Sequence, residues 1–311
     1  MARRILGALA VIVALSFVVF FIFVVAPGGD PAQRMAGKNA TAEGIAAIRH
    51  TWGFDRPLLV QYGTLMKRMV TGRLVSYTSQ QNVLEQIGQG IPATMSLTIG
   101  AAVIWLLSGI ALGTLTALRA GRAFDVSVTA LALIGVSMPV FWLGVVARYL
   151  LAERHGIVPD GEYVPLSASP WQWFTHLLVP WLVLAAGYIG FYARVVRGNA
   201  LEAINEDFVR TAKAKGISWQ RVVVRHVLRN ALVPVVTLFG LDFAAVIGGG
   251  AILTESVFDL HGVGQYAAQS IGNYDLPPIM GVTLYGAAFI VIASMLIDLA
   301  HAYLDPRIRL R

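Results

Sequence analysis

The sequence contains no cysteine, which excludes disulfides and thiolate metal sites. Charge is scarce too. Only 13% of the 311 residues are Asp, Glu, Lys or Arg, about half the share usual in soluble domains, while 57% are hydrophobic. Mean hydropathy is +0.67. There is no G-x-x-x-x-G-K-[ST] phosphate loop, so nothing in the chain reads as an ATP-hydrolysing site of its own. No Ser–His–Asp or paired-carboxylate arrangement stands out, so the chain does not read as an enzyme by itself. Glu255, Asp259 and His261 lack the Cys or second His that a metal cluster would need nearby. This is the composition of a membrane protein.

What is present is apolar and periodic. Six stretches approach the roughly 20 residues needed to cross about 30 Å of hydrocarbon. They are residues 5–26 and runs near 93–118, 126–151, 177–196, 234–255 and 279–303. The first, ILGALAVIVALSFVVFFIFVVA, outruns a signal-peptide core and is followed by APGGD instead of a small-residue cleavage site, so it reads as a retained helix. Pro180, Pro234 and Gly248-Gly249-Gly250 interrupt later runs, which neighbouring helices can accommodate. The expectation is an all-α integral membrane protein with six transmembrane helices. Its parts are an N-terminal helix (1–26), an extracytoplasmic segment (27–90), a core of five helices (91–303) and a tail (304–311). Within 27–90, Thr41 and Asp55 suit helix N-caps, and Leu58, Leu59, Tyr62, Leu65, Met66 and Met69 form an apolar stripe after Pro57. A small extracytoplasmic helical element is expected there.

Basic residues cluster between alternate runs. Arg3 and Arg4, Arg119 and Arg122, the segment 197–233, and Arg307, Arg309 and Arg311 would share one side of a six-span protein; the loop 256–278 carries no Lys or Arg. The positive-inside rule puts both termini and 197–233 in the cytoplasm. Within that loop, Leu201, Ile204, Phe208 and Ala212 fall on one helical face, and Gly216 supplies a stop. Ser218 is placed to cap a second helix in which Arg221, Arg225 and Arg229 form a stripe opposite Val223, Val224, Val227 and Ala231. Such an insert reads either as a solvated connector or as a docking element whose Ala212, Ala214 and Gly216 admit a close partner. An Arg-rich helix–turn–helix also raises nucleic acid, but a pair of helices tethered at both ends to the membrane could hardly reach a major groove.

Polar residues inside spans raise further candidates. Asp242 would line a pathway, pair with an arginine or bond to local backbone. Asp298 and His301 suit interfacial pairing, and Arg148 can snorkel. Met138, Phe141 and Trp142 flank Pro139, where a kink would turn them toward a pathway or leave them facing lipid and neighbouring helices. The triple glycine allows close helix packing or a bend.

The stretch FVRTAKAKGISWQRVVVRHVLRNALVP resembles the cytoplasmic loop of binding-protein-dependent ABC importer permeases, and in particular the B-type subunit of dipeptide, oligopeptide and nickel uptake systems. PGGDP (27–31), WGFDRPLLVQYGTLMKRMVTG (52–72), VLEQIGQGIPATMSLT (83–98), SMPVFWLG (137–144), ESVFDLHGVGQ (255–265) and LDPRIR (304–309) follow in the order that family shows. The resemblance implies a type I importer permease fold in a bacterial inner membrane. It also implies that Arg210, Thr211, Ala212, Lys213, Ala214, Lys215 and Gly216 form the coupling segment that sits on an ATPase subunit. Arg-Thr-Ala stands here where the generic motif has Glu-Ala-Ala. A paralogous permease, two ATP-binding subunits holding ATP and Mg, and an extracytoplasmic substrate-binding protein would complete the assembly, the last of these offering the 27–90 element a partner. The implied cargo is a short peptide, with nickel chelates or other small solutes as alternatives. A self-sufficient ion-coupled carrier is the competing class; it would need more buried titratable groups than Asp242 and an internal repeat, which is not evident.

Overall fold

In a computed structural model the chain is described over residues 2–25, 30–36 and 41–304, and it is helical almost throughout. Arg307, Arg309 and Arg311, and the side chains of Asp298 and His301, lie outside the described residues. So do most of PGGDP and LDPRIR. The helices are α1 (Ala2–Val25), α2 (Pro31–Ala36), α3 (Ala42–Trp52), α4 (Leu58–Val70), α5 (Val83–Leu118), α6 (Ala123–Ser137), α7 (Val140–Arg148), α8 (Pro170–Ile204), α9 (Asp207–Ala214), α10 (Trp219–Val222), α11 (Leu228–Ala231), α12 (Val233–Ala245), α13 (Ile252–Val257), α14 (Val263–Gly272) and α15 (Leu276–Leu304).

Among the described residues, four stretches are long and apolar enough to cross a membrane: Val83–Leu118, Pro170–Ile204, Val233–Gly250 and Leu276–Leu296. The 126–151 run is not one straight helix. Its two halves meet at 94°, and they make a fifth span if counted together. The break follows from Pro139, which has no N–H to donate and holds Met138 extended at φ −83°, ψ 128°. Among its described side chains α1 offers a shorter apolar stretch, Leu9–Val24.

The core is built on α5 and α8. Three glycines let the two backbones close: Gly100 receives the flat face of Trp181, Gly109 faces Tyr192, and Gly113 faces Ala193 and Val196. In lipid, helix association draws on van der Waals contact, so small residues at the seam set its strength. α6 joins through Gly190, where an added Cβ would lie 2.7 Å from the Ala132 carbonyl oxygen. The triple glycine both packs and bends: Gly248 meets the backbone of Gly286 on α15, and Gly249 takes φ 142°, ending the straight run of the fifth stretch.

The segment between α1 and α5 carries α2, α3 and α4. Thr41 caps α3, its Oγ1 accepting from Gly44 N–H at 3.2 Å. Asp55 does not cap α4; the extended Pro57 occupies that position and its carbonyl accepts from Val60 and Gln61. Gln61 Nε2 in turn donates to the carbonyls of Phe54 and Arg56, holding the turn that displaces Asp55. Of the apolar stripe, Tyr62, Leu65, Met66 and Met69 pack against the outer end of α1 and α15, while Leu58 and Leu59 stay exposed.

Two buried carboxylates fasten this outer end. Asp275 accepts from Ser76 Oγ, Thr78 Oγ1, Tyr77 N–H (3.0 Å) and Thr78 N–H (3.1 Å). Burial pushes the neighbouring Tyr77 hydroxyl above its ordinary pKa range. Glu255 accepts from Thr94 Oγ1 (2.7 Å) and Gln265 N–H (2.9 Å), and Thr94 Oγ1 accepts from Val263 N–H. Gly262 and Gly264 are packed against the Glu255 carboxylate, where a side chain would collide. Asp275→Ala leaves four donors unpaired and is expected to cost roughly 2–4 kcal/mol locally. Proteolysis within 71–82 should quicken, with much smaller change in α8.

Candidate functional site

The 197–233 loop is an elbow of two helices, with its boundaries shifted from the sequence reading. Leu201 and Ile204 belong to the end of α8, not to the following helix. The chain breaks at Asn205, whose Nδ2 donates back to the Leu201 carbonyl at 3.0 Å. α9 then starts at Asp207, with an acidic first turn and Lys213 in its last, as the helix dipole favours.

α9 is amphipathic, but its buried face is Val209 and Ala212, with Phe208 exposed. Those two sit on Ala117, Ala200, Ala203, Val222, Val227 and Ala231, a seam of small side chains from α5, α8, α10, the turn after it and α11. Ala212 therefore packs within its own chain, and Ala214 and Gly216 are the small residues left exposed. Arg210, Thr211, Lys213 and Lys215 are exposed beside them, with Phe208 and Trp219 at either end. Exposed aromatics among cations are the residue types that anchor protein interfaces.

The elbow is set by Gly216 at φ 73°. Gly216 N–H donates to the Lys213 carbonyl (2.9 Å) and Ile217 N–H to the Ala212 carbonyl (3.3 Å), the paired bonds of a Schellman cap. Lys213 Nζ lies 4.3 Å from the centre of the Trp219 ring, bridging the corner. Ser218 holds the N-cap position of α10 without making a side-chain cap bond. A π-turn at Val223–Val227 follows and shifts the register of the second helix. As a result Val224 is exposed on the arginine face with Arg221, Arg225 and Arg229, instead of opposite it with the buried Val223, Val227 and Ala231.

Upstream of the elbow, Arg197 on α8 grips Asp125 on α6. Nε and one terminal nitrogen each donate to a carboxylate oxygen at 2.7 Å, and Gly121 N–H donates to the same carboxylate at 2.9 Å. No sequence pattern marks this pair. Its members are 72 positions apart, and Arg197 reads as one more cytoplasmic positive charge.

The pathway candidates are not gathered in one place. Asp242 on α12 meets no arginine among the described residues; it accepts from Tyr192 Oη at 2.7 Å. Tyr192 is fully buried, and Trp105 stacks on Tyr188 nearby at 4.5 Å between ring centres. Met138 is half-buried at the α6–α7 break, and Phe141 and Trp142 are each 48% exposed on the single chain. Arg148 is held by Asp160 (2.7 Å) and by the Val257 carbonyl rather than reaching into a headgroup layer.

Long apolar helices, a basic elbow on one side and carboxylate-fastened turns on the other define an all-helical transport subunit of a membrane. The chain belongs to the family of binding-protein-dependent transport system inner membrane components, matched over residues 109–310, with that family's N-terminal region matched over 1–98. It is similar to a probable peptide ABC transporter permease of Sinorhizobium fredii, 35% identical over 308 residues, covering 99% of this chain and 98% of that one. It is also similar to the dipeptide transport system permeases of Alkalihalophilus pseudofirmus (33%, covering 99% and 98%) and Bacillus subtilis (32%, covering 100% and 97%). Among solved structures, a chain of the inward-facing MetNI methionine ABC transporter shares the fold, with TM-score 0.52 and 19% identity. The match covers 71% of this chain and 95% of that one.

Proposed function

We propose that this chain is one of two membrane subunits of an ATP-driven importer that takes up short peptides. The observation that carries the reading is its likeness, end to end, to permeases named for peptide and dipeptide transport. In this reading α1, α5, the bent α6–α7 pair, α8, α12 and α15 are six spans of a bacterial inner membrane, with both termini in the cytoplasm. The basic 119–122 turn and the 197–233 elbow then share the cytoplasmic side. The exposed surface of α9 through Gly216 sits on one of two ATPase subunits, which hold the ATP and Mg that this chain does not. A paralogous permease covers the apolar faces that complete the pathway, and an extracytoplasmic binding protein delivers the cargo. ATP-driven closure moves the elbow, and α8, continuous from the outer end to Ile204, carries the motion across the membrane. Allosteric coupling needs an element that both sites bias, and this one touches both sides.

Mass spectrometry of the gently solubilised, tagged complex from its host tests this. The expected result is two ATPase subunits, a second permease and a peptide-loaded binding protein. Recovery of this chain alone, with solute uptake intact after reconstitution, would mean a self-sufficient carrier and end the proposal.

A further inference from the structure

We propose that Asp125 and Arg197 are positioning residues for transport, a two-pronged clamp that makes the α5–α6 turn, α6 and α8 move as one body when the elbow is pushed. The inference rests on reading the chain as an importer subunit, and it assigns a role to residues outside the expected ATPase contact.

The argument starts from what the other contacts can transmit. α8 meets α5 and α6 through apolar side chains and close glycine approaches at Gly109, Gly113 and Gly190, and it is tied to α5 by one hydrogen bond near its far end, Trp181 Nε1 to the Ser96 carbonyl at 2.9 Å. The apolar contacts are close but weakly directional: an apolar seam resists separation more than it resists sliding or rotation. The elbow hangs from the cytoplasmic end of α8, where that freedom does most harm to a transmitted push. Arg197 lies about two turns before that end. There the seam gains its one directional fastening among the described residues of α6 and α8, a planar guanidinium meeting a carboxylate on two parallel bonds of 2.7 Å. Arginine is suited to such a fork in a way lysine is not. The carboxylate also holds Gly121 N–H, so the turn before α6 is fixed by the same group.

A purely stabilising role explains the arrangement less well. The Asp125 side chain is 6% exposed and that of Arg197 31%, and a partly buried ion pair is commonly no more stabilising than apolar residues of the same size. What an ion pair adds is a fixed relative orientation. Its position, between a membrane seam and a surface that receives force, is where orientation counts.

The test uses the complete complex, with its ATPases, partner permease and binding protein, in proteoliposomes. Peptide uptake and ATP hydrolysis are measured in the same vesicles, with the melting temperature of each variant complex. For Asp125→Asn the expected result is an assembled complex that hydrolyses ATP at a near wild-type rate while uptake per ATP falls about tenfold, within the usual range of coupling energies. Arg197→Lys, which keeps the charge but loses the fork, should fall between. The double variant Asp125→Arg, Arg197→Asp should recover most of the ratio. Uptake per ATP unchanged in Asp125→Asn overturns the clamp, as does a loss that follows the melting temperature across all variants. Should Asp125→Asn not assemble, Arg197→Lys and the double variant decide on the same ratio. Absence of ATP-dependent uptake in the wild-type complex would instead sink the importer reading itself.

Discussion

Gly109→Leu is expected to prevent the membrane core from closing. A Cβ at Gly109 would lie 2.5 Å from the Tyr192 Cβ and 3.5 Å from the Ala193 backbone nitrogen. Because a Cβ keeps its place in every rotamer, no rotamer change of Tyr192 makes room, and α5 and α8 must part along the seam. Overpacking a well-filled core costs typically 1–3 kcal/mol, and a helix-to-helix collision belongs at or above the upper end, so about 3 kcal/mol or more is expected. Tyr192 would also be driven from Asp242, leaving a half-buried carboxylate without this donor. Melting in detergent, followed by retention of the purified subunit on size exclusion, reads the effect. Gly198→Ala is the control: it lies on the facing helix, α8, with nothing within 4 Å of the added carbon, and it should be neutral or slightly stabilising. Similar melting for both variants would show that the seam is looser than described.

Gly216→Val is expected to act on function instead of folding. Nothing lies within 4 Å of a Cβ at this position, so the space is open. The obstacle is the backbone: φ is 73°, where a β-branched residue costs roughly 2 kcal/mol. That is enough to shift the elbow to other geometries by about thirtyfold. The cap bonds to Lys213 and Ala212 would loosen and Trp219 would leave Lys213. In the reconstituted complex, insertion and subunit assembly should persist while uptake falls by tenfold or more. Gly216→Asn, which enters the left-handed region more readily, should retain much of the activity. Wild-type uptake in the valine variant would remove the elbow from the coupling route.

The sequence carried the long apolar elements better than the polar ones. α1, α5, α8 and α15 stand out because nothing but a membrane calls for such runs, although α5 starts already at Val83. α14 was hidden within the 256–278 loop, which lacks Lys and Arg and where HGVGQYAAQSIG alternates polar and small residues too finely for a span. Gly216 was legible because a helix stop of that kind has a chemical signature. The start of α9 was misplaced because Leu201 and Ile204 continue the helical period across a break; Asn205 followed by Glu206 and Asp207 was the signal that marks it. Val224 was put on the wrong face because a fixed 3.6-residue period fails across a π-turn. Tyr192 was not foreseen beside Asp242, since tertiary contacts between α8 and α12 leave no pattern in either helix. The Asp125–Arg197 pair fails for the same reason.

The bend at Met138–Pro139 also bears on the lipid around the protein. α6 has 15 residues and so spans only about 22 Å. The 36-residue α5 reaches about 54 Å. A hydrocarbon layer near 30 Å thick cannot match both walls of one molecule. Beside α6 the bilayer must thin, or α7 must supply the rest of the crossing past the bend, at a cost that rises with each ångström of mismatch. The length of the host's acyl chains is therefore a property to which this subunit is tuned on its α6 side and nearly indifferent on its α5 side.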